Sequence, residues 1–376
     1  MCGRFALGLA LNELPKEFGR TVLRDQANEI QQERDTNDGN HSYSIRGSED
    51  DMKFQLNVAK VTDWYPSYNI APTNSALIIY MMDSGTQFNA KYILEPSKFG
   101  IVPAWAKPSD STPVGKGTGK EGSKYSRELG RIQAKYFNCR RESLKQAKSL
   151  WNSCKNNRCV IPIQGYFEWM KTNSDKIPYF VHSKTVPLCF LAGFYSHNYN
   201  YTENQNVSGE YLSTFTVITV PAVKEDANDM SWLHNRKPML IAAGTKAWYD
   251  WLNPKIPWNE KLVETVLNST TNEAYADIEV YQVTKEVGNS SNDGENMIKK
   301  INSKKQSSLS HFLGSQKGKR KAKPTSHFSP VKPETEVKQE FEEEGVPKKR
   351  VKSEPLSSPK KRKKVPGDLF EVKKEV

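Results

Sequence analysis

Little in this sequence supports a scaffold held by covalent or metal cross-links. Its 376 residues include only 5 cysteines (Cys2, Cys139, Cys154, Cys159 and Cys189) and 6 histidines, with no CxxC pair and no His-x-His cluster. An odd cysteine count in that spacing argues against a disulfide framework or a structural zinc site, and reduced thiols inside the cell are expected. No run approaches the roughly 18 apolar residues of a membrane span, and MCGRFALGLALNELPKEF carries an acid and a helical rhythm where a secretory signal has an unbroken apolar core. No membrane partner, resident metal or cofactor is therefore expected. Apolar residues are also scarce, at 36% with a mean hydropathy of -0.73, too few for the whole chain to offset its conformational entropy by burial.

The deficit is concentrated in one place. From residue 301 onward there are 20 Lys and Arg against 10 Asp and Glu, no tryptophan and no tyrosine, so most of the net charge of +12 belongs to the tail. Residues 301–376 are expected to be disordered, and residues 1–300, which hold all 8 tryptophans and all 16 tyrosines, to form the folded domain.

Within that domain, SALIIYMM (75–82), RCVIPIQGYFEW (158–169), PLCFLAGFY (187–195), STFTVITV (213–220) and PMLIAA (238–243) read as strands. Helical spacing is confined to LALNELPKEF (9–18), RRESLKQAKSLW (140–151), TKAWYDWL (245–252) and NEKLVETVLN (259–268). Strands outnumber helices and do not alternate with them. The expected class is α+β, a mixed, mostly antiparallel and barrel-like sheet with flanking helices. Polar stretches at about 26–62 and 107–124 read as surface insertions.

MCGRF has the features of a chain whose initiator methionine is removed, because the second side chain is small. Cys2 would then hold a thiol and an α-amine on one carbon skeleton. Five further short stretches follow: YNIAPT (68–73), FGIVPAW (99–105), FNCRRE (137–142), QGYFEW (164–169) and LHNRKP (233–238). In this order they resemble the SRAP family, named for SOS response-associated peptidases, over residues 1 to about 290. Gln164 stands where the family commonly has aspartate, and Ala106 where many members have a second aromatic.

The resemblance implies a mature protein that begins at Cys2 and forms a covalent adduct with an abasic site in single-stranded DNA. Elementary chemistry agrees. The ring-opened abasic sugar is an aldehyde, and an α-amine with a reference pKa of roughly 7.7–8.0 is a better neutral nucleophile than a lysine near 10.4. The amine condenses to an imine, and the thiol closes a five-membered thiazolidine. Ring closure removes the electron sink that would drive β-elimination and strand cleavage.

Proton transfer needs a separate group. Glu168, in an aromatic strand that disfavours its ionised form, is the candidate acid, and the resemblance puts the abasic-site-sensing glutamate there. His234 is placed by the resemblance at the abasic sugar, where a neutral imidazole suits a sugar hydroxyl. Arg4 and Arg140 are candidate phosphate clamps, since the guanidinium fork takes a phosphate bidentately. Asn138 is a candidate sugar ligand, Asn69 a candidate orienting residue, and Trp105 a candidate base-stacking platform. The near-neutral balance of residues 1–300 favours a local basic groove over a broad duplex-binding surface.

In the tail, QSSLSHFL, with Gln306, Leu309, Phe312 and Leu313, resembles the peptide box that docks on the PCNA sliding clamp. PKKRVK and PKKRKKV, spanning 347–365, resemble a bipartite nuclear localisation signal read by an import receptor. Lys332, Lys338, Lys352 and Lys373 fit an apolar-Lys-x-acid pattern for SUMO attachment. The expected protein is a nuclear monomer that crosslinks abasic sites in single-stranded DNA at replication forks, with peptidase or abasic-site lyase activity also within the family's range. Two alternatives remain: a cysteine peptidase with an N-terminal nucleophile acting on itself or on other proteins, and a non-covalent reader of modified DNA.

Overall fold

The computed structural model describes residues 3–23, 27–33, 41–47, 53–59, 64–82, 90–109, 125–201 and 210–301. Cys2, the greater part of the 107–124 stretch, and the whole tail with its clamp-like box, localisation signal and lysine motifs lie outside these residues. Fifteen strands are described: β1 (Phe5–Leu7), β2 (Ala27–Glu33), β3 (His41–Gly47), β4 (Lys53–Val58), β5 (Ser67–Ile70), β6 (Ser75–Met81), β7 (Lys91–Phe99), β8 (Asn138–Arg140), β9 (Arg158–Ile163), β10 (Gly165–Lys171), β11 (Lys176–Ser183), β12 (Cys189–Asn198), β13 (Leu212–Pro221), β14 (Arg236–Pro238) and β15 (Ile278–Gln282). The helices are α1 (Leu14–Val22), α2 (Ser126–Lys135), α3 (Lys246–Leu252), α4 (Glu260–Val266) and α5 (Glu273–Ala276).

The class is the expected α+β, and the barrel is a real one. Strands β7, β6, β9, β12 and β13 are paired in turn, and β13 pairs in parallel with β7 through Thr214 and Phe215 opposite Lys98 and Phe99, which closes the ring. Side chains from non-adjacent strands meet across its interior: His197 of β12 reaches Glu95 of β7 at 2.7 Å. The outer face carries Tyr92, Phe190 and Phe194, against which α1 and α3 pack. Phe18, Tyr92, Phe190 and Trp248 form one aromatic cluster with centroids 4.9–6.2 Å apart. Helix α1 presents Leu14, Phe18 and Val22 to it at fourfold spacing.

A second sheet, in the order β15-β11-β10-β1-β5, lies beside the barrel. The sequence run 158–169 supplies both: β9 belongs to the barrel and β10 to the second sheet, with the break at Gln164. Gly165 is required at the switch, because a Cβ there would stand 2.4 Å from the Phe180 ring and 2.6 Å from the Val181 carbonyl.

Three expectations need correction. Within 26–62, read as a surface insertion, β2, β3 and β4 form a meander joined to β7 in parallel, and Ile45, Phe54, Leu56 and Val58 enter the main core. The alternation of Phe54, Leu56 and Val58 is a strand signal masked by polar neighbours. RRESLKQAKSLW forms two short 3-10 turns, Arg141–Lys145 and Leu150–Ser153, instead of one helix. Leu144 and Trp151 are each buried, and Gln146 between them is extended, so tertiary anchoring overrides helical propensity. PMLIAA is a regular strand only to Pro238: Met239 N still donates to the Ile218 carbonyl of β13 at 2.8 Å, Leu240 bridges Leu191 of β12, and Ile241 N donates to the Phe190 carbonyl at 2.9 Å, while the Tyr275 hydroxyl donates to the Pro238 carbonyl at 2.6 Å and accepts from Leu240 N at 3.1 Å.

Candidate functional site

Strand β1 is paired on both edges, with β10 and β5. Phe5 packs on Phe99 of the barrel, centroids 5.3 Å apart, while Ala6 joins Phe167 and Phe180 in a second cluster. Alternate side chains therefore anchor the start of the chain in two cores. The register pairs Phe5 with Tyr166, and Phe167 N donates to the Arg4 carbonyl at 2.9 Å. Continued by one residue, it sets Gly3 against Glu168. Gln164 assists: its Oε1 accepts from Gly8 N at 2.7 Å, the acceptor role that an aspartate would serve there.

Glu168 is buried, at 4% exposure, and its Oε1 accepts from Trp169 N at 3.2 Å. Its cross-strand partner on β11 is Tyr179. Tyr166, on the same face of β10, directs its hydroxyl to Met230 Sδ at 3.5 Å. Met230 in turn accepts at its carbonyl from Leu233 N and His234 N, at 3.0 and 3.3 Å. The half-buried His234 is thus tied to the Glu168 face through a tight turn. Its Nδ1 lies 3.0 Å from Arg236 N and 3.1 Å from the Arg236 carbonyl, so the ring is held by Arg236 backbone in either neutral tautomer.

Arg236 connects this turn to the next motif. Its guanidinium takes Glu142 bidentately at 3.0 and 3.1 Å and donates to the Thr219 carbonyl at 2.7 Å. Partial burial works to raise the Glu142 carboxyl, yet the Arg236 hydrogen bonds hold it below the ordinary carboxylate range. Glu142 follows β8, on which alternation sends the buried Cys139 inward and leaves Asn138 half-buried and Arg140 exposed. Sequence reading singled out neither Arg236 nor Glu142, although both stand inside quoted motifs; a charged pair split between LHNRKP and FNCRRE was the available signal.

Arg4, read as a phosphate clamp, has its fork engaged inside the protein. Nη1 donates to Asn69 Oδ1 at 2.8 Å and the Val287 carbonyl at 2.7 Å, and Nη2 to the Gly288 carbonyl at 3.3 Å. Burial pulls its pKa down from the ordinary arginine value. Asn69, 3% exposed, donates through Nδ2 to the carbonyls of Val287, Asn289 and Asn292 at 3.2, 2.9 and 2.7 Å. The pair fastens β1 and β5 to the loop that follows β15.

Trp105 is no core residue: its side chain is 65% exposed. Its loop is firmly held, with Asn198 Nδ2 donating to the Pro103 and Ala106 carbonyls at 2.6 and 2.9 Å. The ring stands on a loop anchored to β12, separate from the turn that carries His234.

The other thiols are poor nucleophiles. Cys139, Cys154 and Cys159 are buried, and burial raises each thiol above its ordinary pKa; that of the half-buried Cys189 is pushed up to about 12. All four are free, and among the described residues no group of three or more His, Cys, Asp or Glu side chains is arranged to hold a metal.

Fold and site together define a mixed α+β protein in which the strand carrying a buried carboxyl runs beside the first described residues of the chain, and the Tyr166–Met230 contact links that strand to the turn that carries an imidazole. A model of the SOS response associated peptidase (SRAP) family matches residues 1–290. The chain belongs to that family. Relatives include "Abasic site processing protein YMR114C" of Saccharomyces cerevisiae, 29% identical over 80% of this chain and 68% of that one. "Abasic site processing protein YoqW" of Bacillus subtilis is 26% identical over 68% of this chain and 97% of its own. "Abasic site processing protein HMCES" of Xenopus tropicalis is 24% identical over 72% of each. A solved protein from Bacteroides thetaiotaomicron aligns with a TM-score of 0.45 and 19% identity, over 62% of this chain and 85% of that one.

Proposed function

We propose that this protein processes abasic sites in single-stranded DNA by covalent capture through Cys2 after removal of Met1. The α-amine attacks the C1′ aldehyde of the opened sugar, and the carbinolamine loses water, its oxygen leaving with a proton from Glu168. The thiol sulfur then adds to the imine carbon while its proton passes to the nitrogen, closing a thiazolidine. The net reaction is condensation with loss of one water. The His234 imidazole serves a sugar hydroxyl, and Arg140 and Asn138 hold the adjoining phosphate and sugar.

The observation that carries this reading is the β1–β10 register, whose continuation sets Gly3, the residue that follows Cys2 in the sequence, against Glu168. The raised pKa values of the other four thiols and the likeness to abasic site processing proteins support it. Peptidase action, suggested by the family's description, is the second reading; it would proceed without DNA. Clamp docking by Gln306, Leu309, Phe312 and Leu313, SUMO attachment at the four tail lysines and import into the nucleus belong to the same proposal.

Intact-mass measurement with an abasic oligonucleotide tests it. The expected product weighs protein lacking Met1 plus DNA minus one water. Cys2→Ala and Cys2→Ser keep the amine but lack the thiol, so each should give no stable adduct and only a reversible imine trapped by borohydride. Full crosslinking by a protein that keeps Met1, or by Cys2→Ala, would overturn the proposal.

A further inference from the structure

We propose that Trp232 is a base-stacking residue that holds the nucleobase next to the abasic sugar, an inference that rests on the function proposed above. Four other tryptophans, Trp64, Trp151, Trp248 and Trp251, are buried in the main core. Trp232 is 49% exposed although the turn around it is firmly tied. Met230 and Leu233, on either side, are 2% and 4% exposed and anchor the turn. Ser231 N donates to Asp229 Oδ1 at 2.8 Å, and Leu233 N to the Met230 carbonyl at 3.0 Å.

The indole is also oriented. Its ring lies 5.2 Å from that of Tyr179 at 84°, an edge-on contact. Tyr179 is the cross-strand partner of Glu168, and His234 follows Trp232 by two residues. A half-exposed ring is therefore held on the face that carries the acid and the imidazole.

The ligand chemistry follows from the lesion. A base beside an abasic site has lost the stacking partner on one side, and an aromatic side chain in that gap restores it whatever the base, since every base has a π-face. Trp105 stands on another loop, anchored to β12, so Trp232 adds a second ring from a different element. A packing role alone would require only apolar volume against Tyr179, which gives the test its contrast.

A single-stranded oligonucleotide with 2-aminopurine on the 5′ or the 3′ side of the abasic site is titrated with the full chain and two variants, and adducts are weighed in the same samples. Wild type should quench the fluorophore on one flank. Trp232→Leu, which keeps volume against Tyr179 without a π-face, should lose that quenching and bind about tenfold more weakly; Trp232→Phe should retain most of it. Equal quenching by wild type and Trp232→Leu, or equal loss in Trp232→Leu and Trp232→Phe, would sink the proposal while adduct formation by wild type leaves the parent function standing. Absence of any wild-type adduct would sink the parent function instead.

Discussion

Two glutamates are buried among the described residues, and they occupy opposite kinds of place. Glu95, 1% exposed, lies inside the closed barrel. Its Oε1 meets His197 Nε2 at 2.7 Å and accepts from Ser213 Oγ at 2.7 Å, and its Oε2 accepts from Tyr211 at 2.9 Å and Tyr80 at 3.4 Å. Stacked rings cover it, with Tyr80 on Tyr195 at 4.5 Å and His197 beside Tyr211 at 4.0 Å. Glu168 instead faces the start of the chain on one side and the Met230–His234 turn on the other. Burial alone therefore does not mark a catalytic carboxyl; what differs is whether the partners belong to the closed interior or to segments that border the candidate nucleophile.

Exchanging each carboxyl for its amide separates the two roles. Glu168→Gln keeps the shape but cannot release a proton, so single-turnover adduct formation should slow by about 10²- to 10⁴-fold. Glu95→Gln should leave that rate within about twofold below its melting temperature, since nothing in its network touches the reacting groups. Mass spectrometry of timed samples measures both. Equal rates in Glu168→Gln and wild type would remove the carboxyl from the mechanism.

The polar clamp that joins β1 and β5 to the 287–292 loop gives the next effect. Asn69 joins Arg4 to three backbone carbonyls of the 287–292 loop. Asn69→Ala deletes four hydrogen bonds at a buried position and leaves acceptors unpaired, for a loss of about 2–4 kcal/mol in unfolding free energy. Denaturant unfolding measures it. A change under about 0.5 kcal/mol would mean that the clamp contributes little to holding β5 against the loop.

Much of this arrangement was legible in the residues. Continuous β-rich runs located β6, β9, β10, β12 and β13, because buried barrel strands are apolar on both faces. QGYFEW located Glu168, and LHNRKP located His234. The polar meander of β2, β3 and β4 was hidden because its core contribution rests on Ile45 and the alternating Phe54, Leu56 and Val58 among polar neighbours. The internal partners of Arg4 were hidden for another reason: a guanidinium fork fits backbone carbonyls as well as phosphate, and only the fold brings Val287 and Gly288 to it. Long-range pairs such as Arg236 with Glu142 likewise leave no local pattern.

The smallest effect distinguishes the two glutamates by acid response. Burial works to raise the Glu95 carboxyl, but hydrogen bonds from His197, Ser213 and Tyr211 together with the His197 charge hold it below its ordinary 4.5. The unfolded chain therefore takes up this proton before the folded one does, and the native state is stabilised by the ionised form. That stabilisation is complete above about pH 4.5 and fades as pH falls through the lower folded value. Glu95→Gln has no such proton to gain, so below about pH 4.5 the melting temperature of wild type should fall more steeply than that of the variant, and the two slopes should run parallel well above it. Calorimetry across that range measures the difference. Parallel slopes throughout would mean that the barrel carboxyl is protonated alike in folded and unfolded states, and its contrast with Glu168 would then rest on position alone.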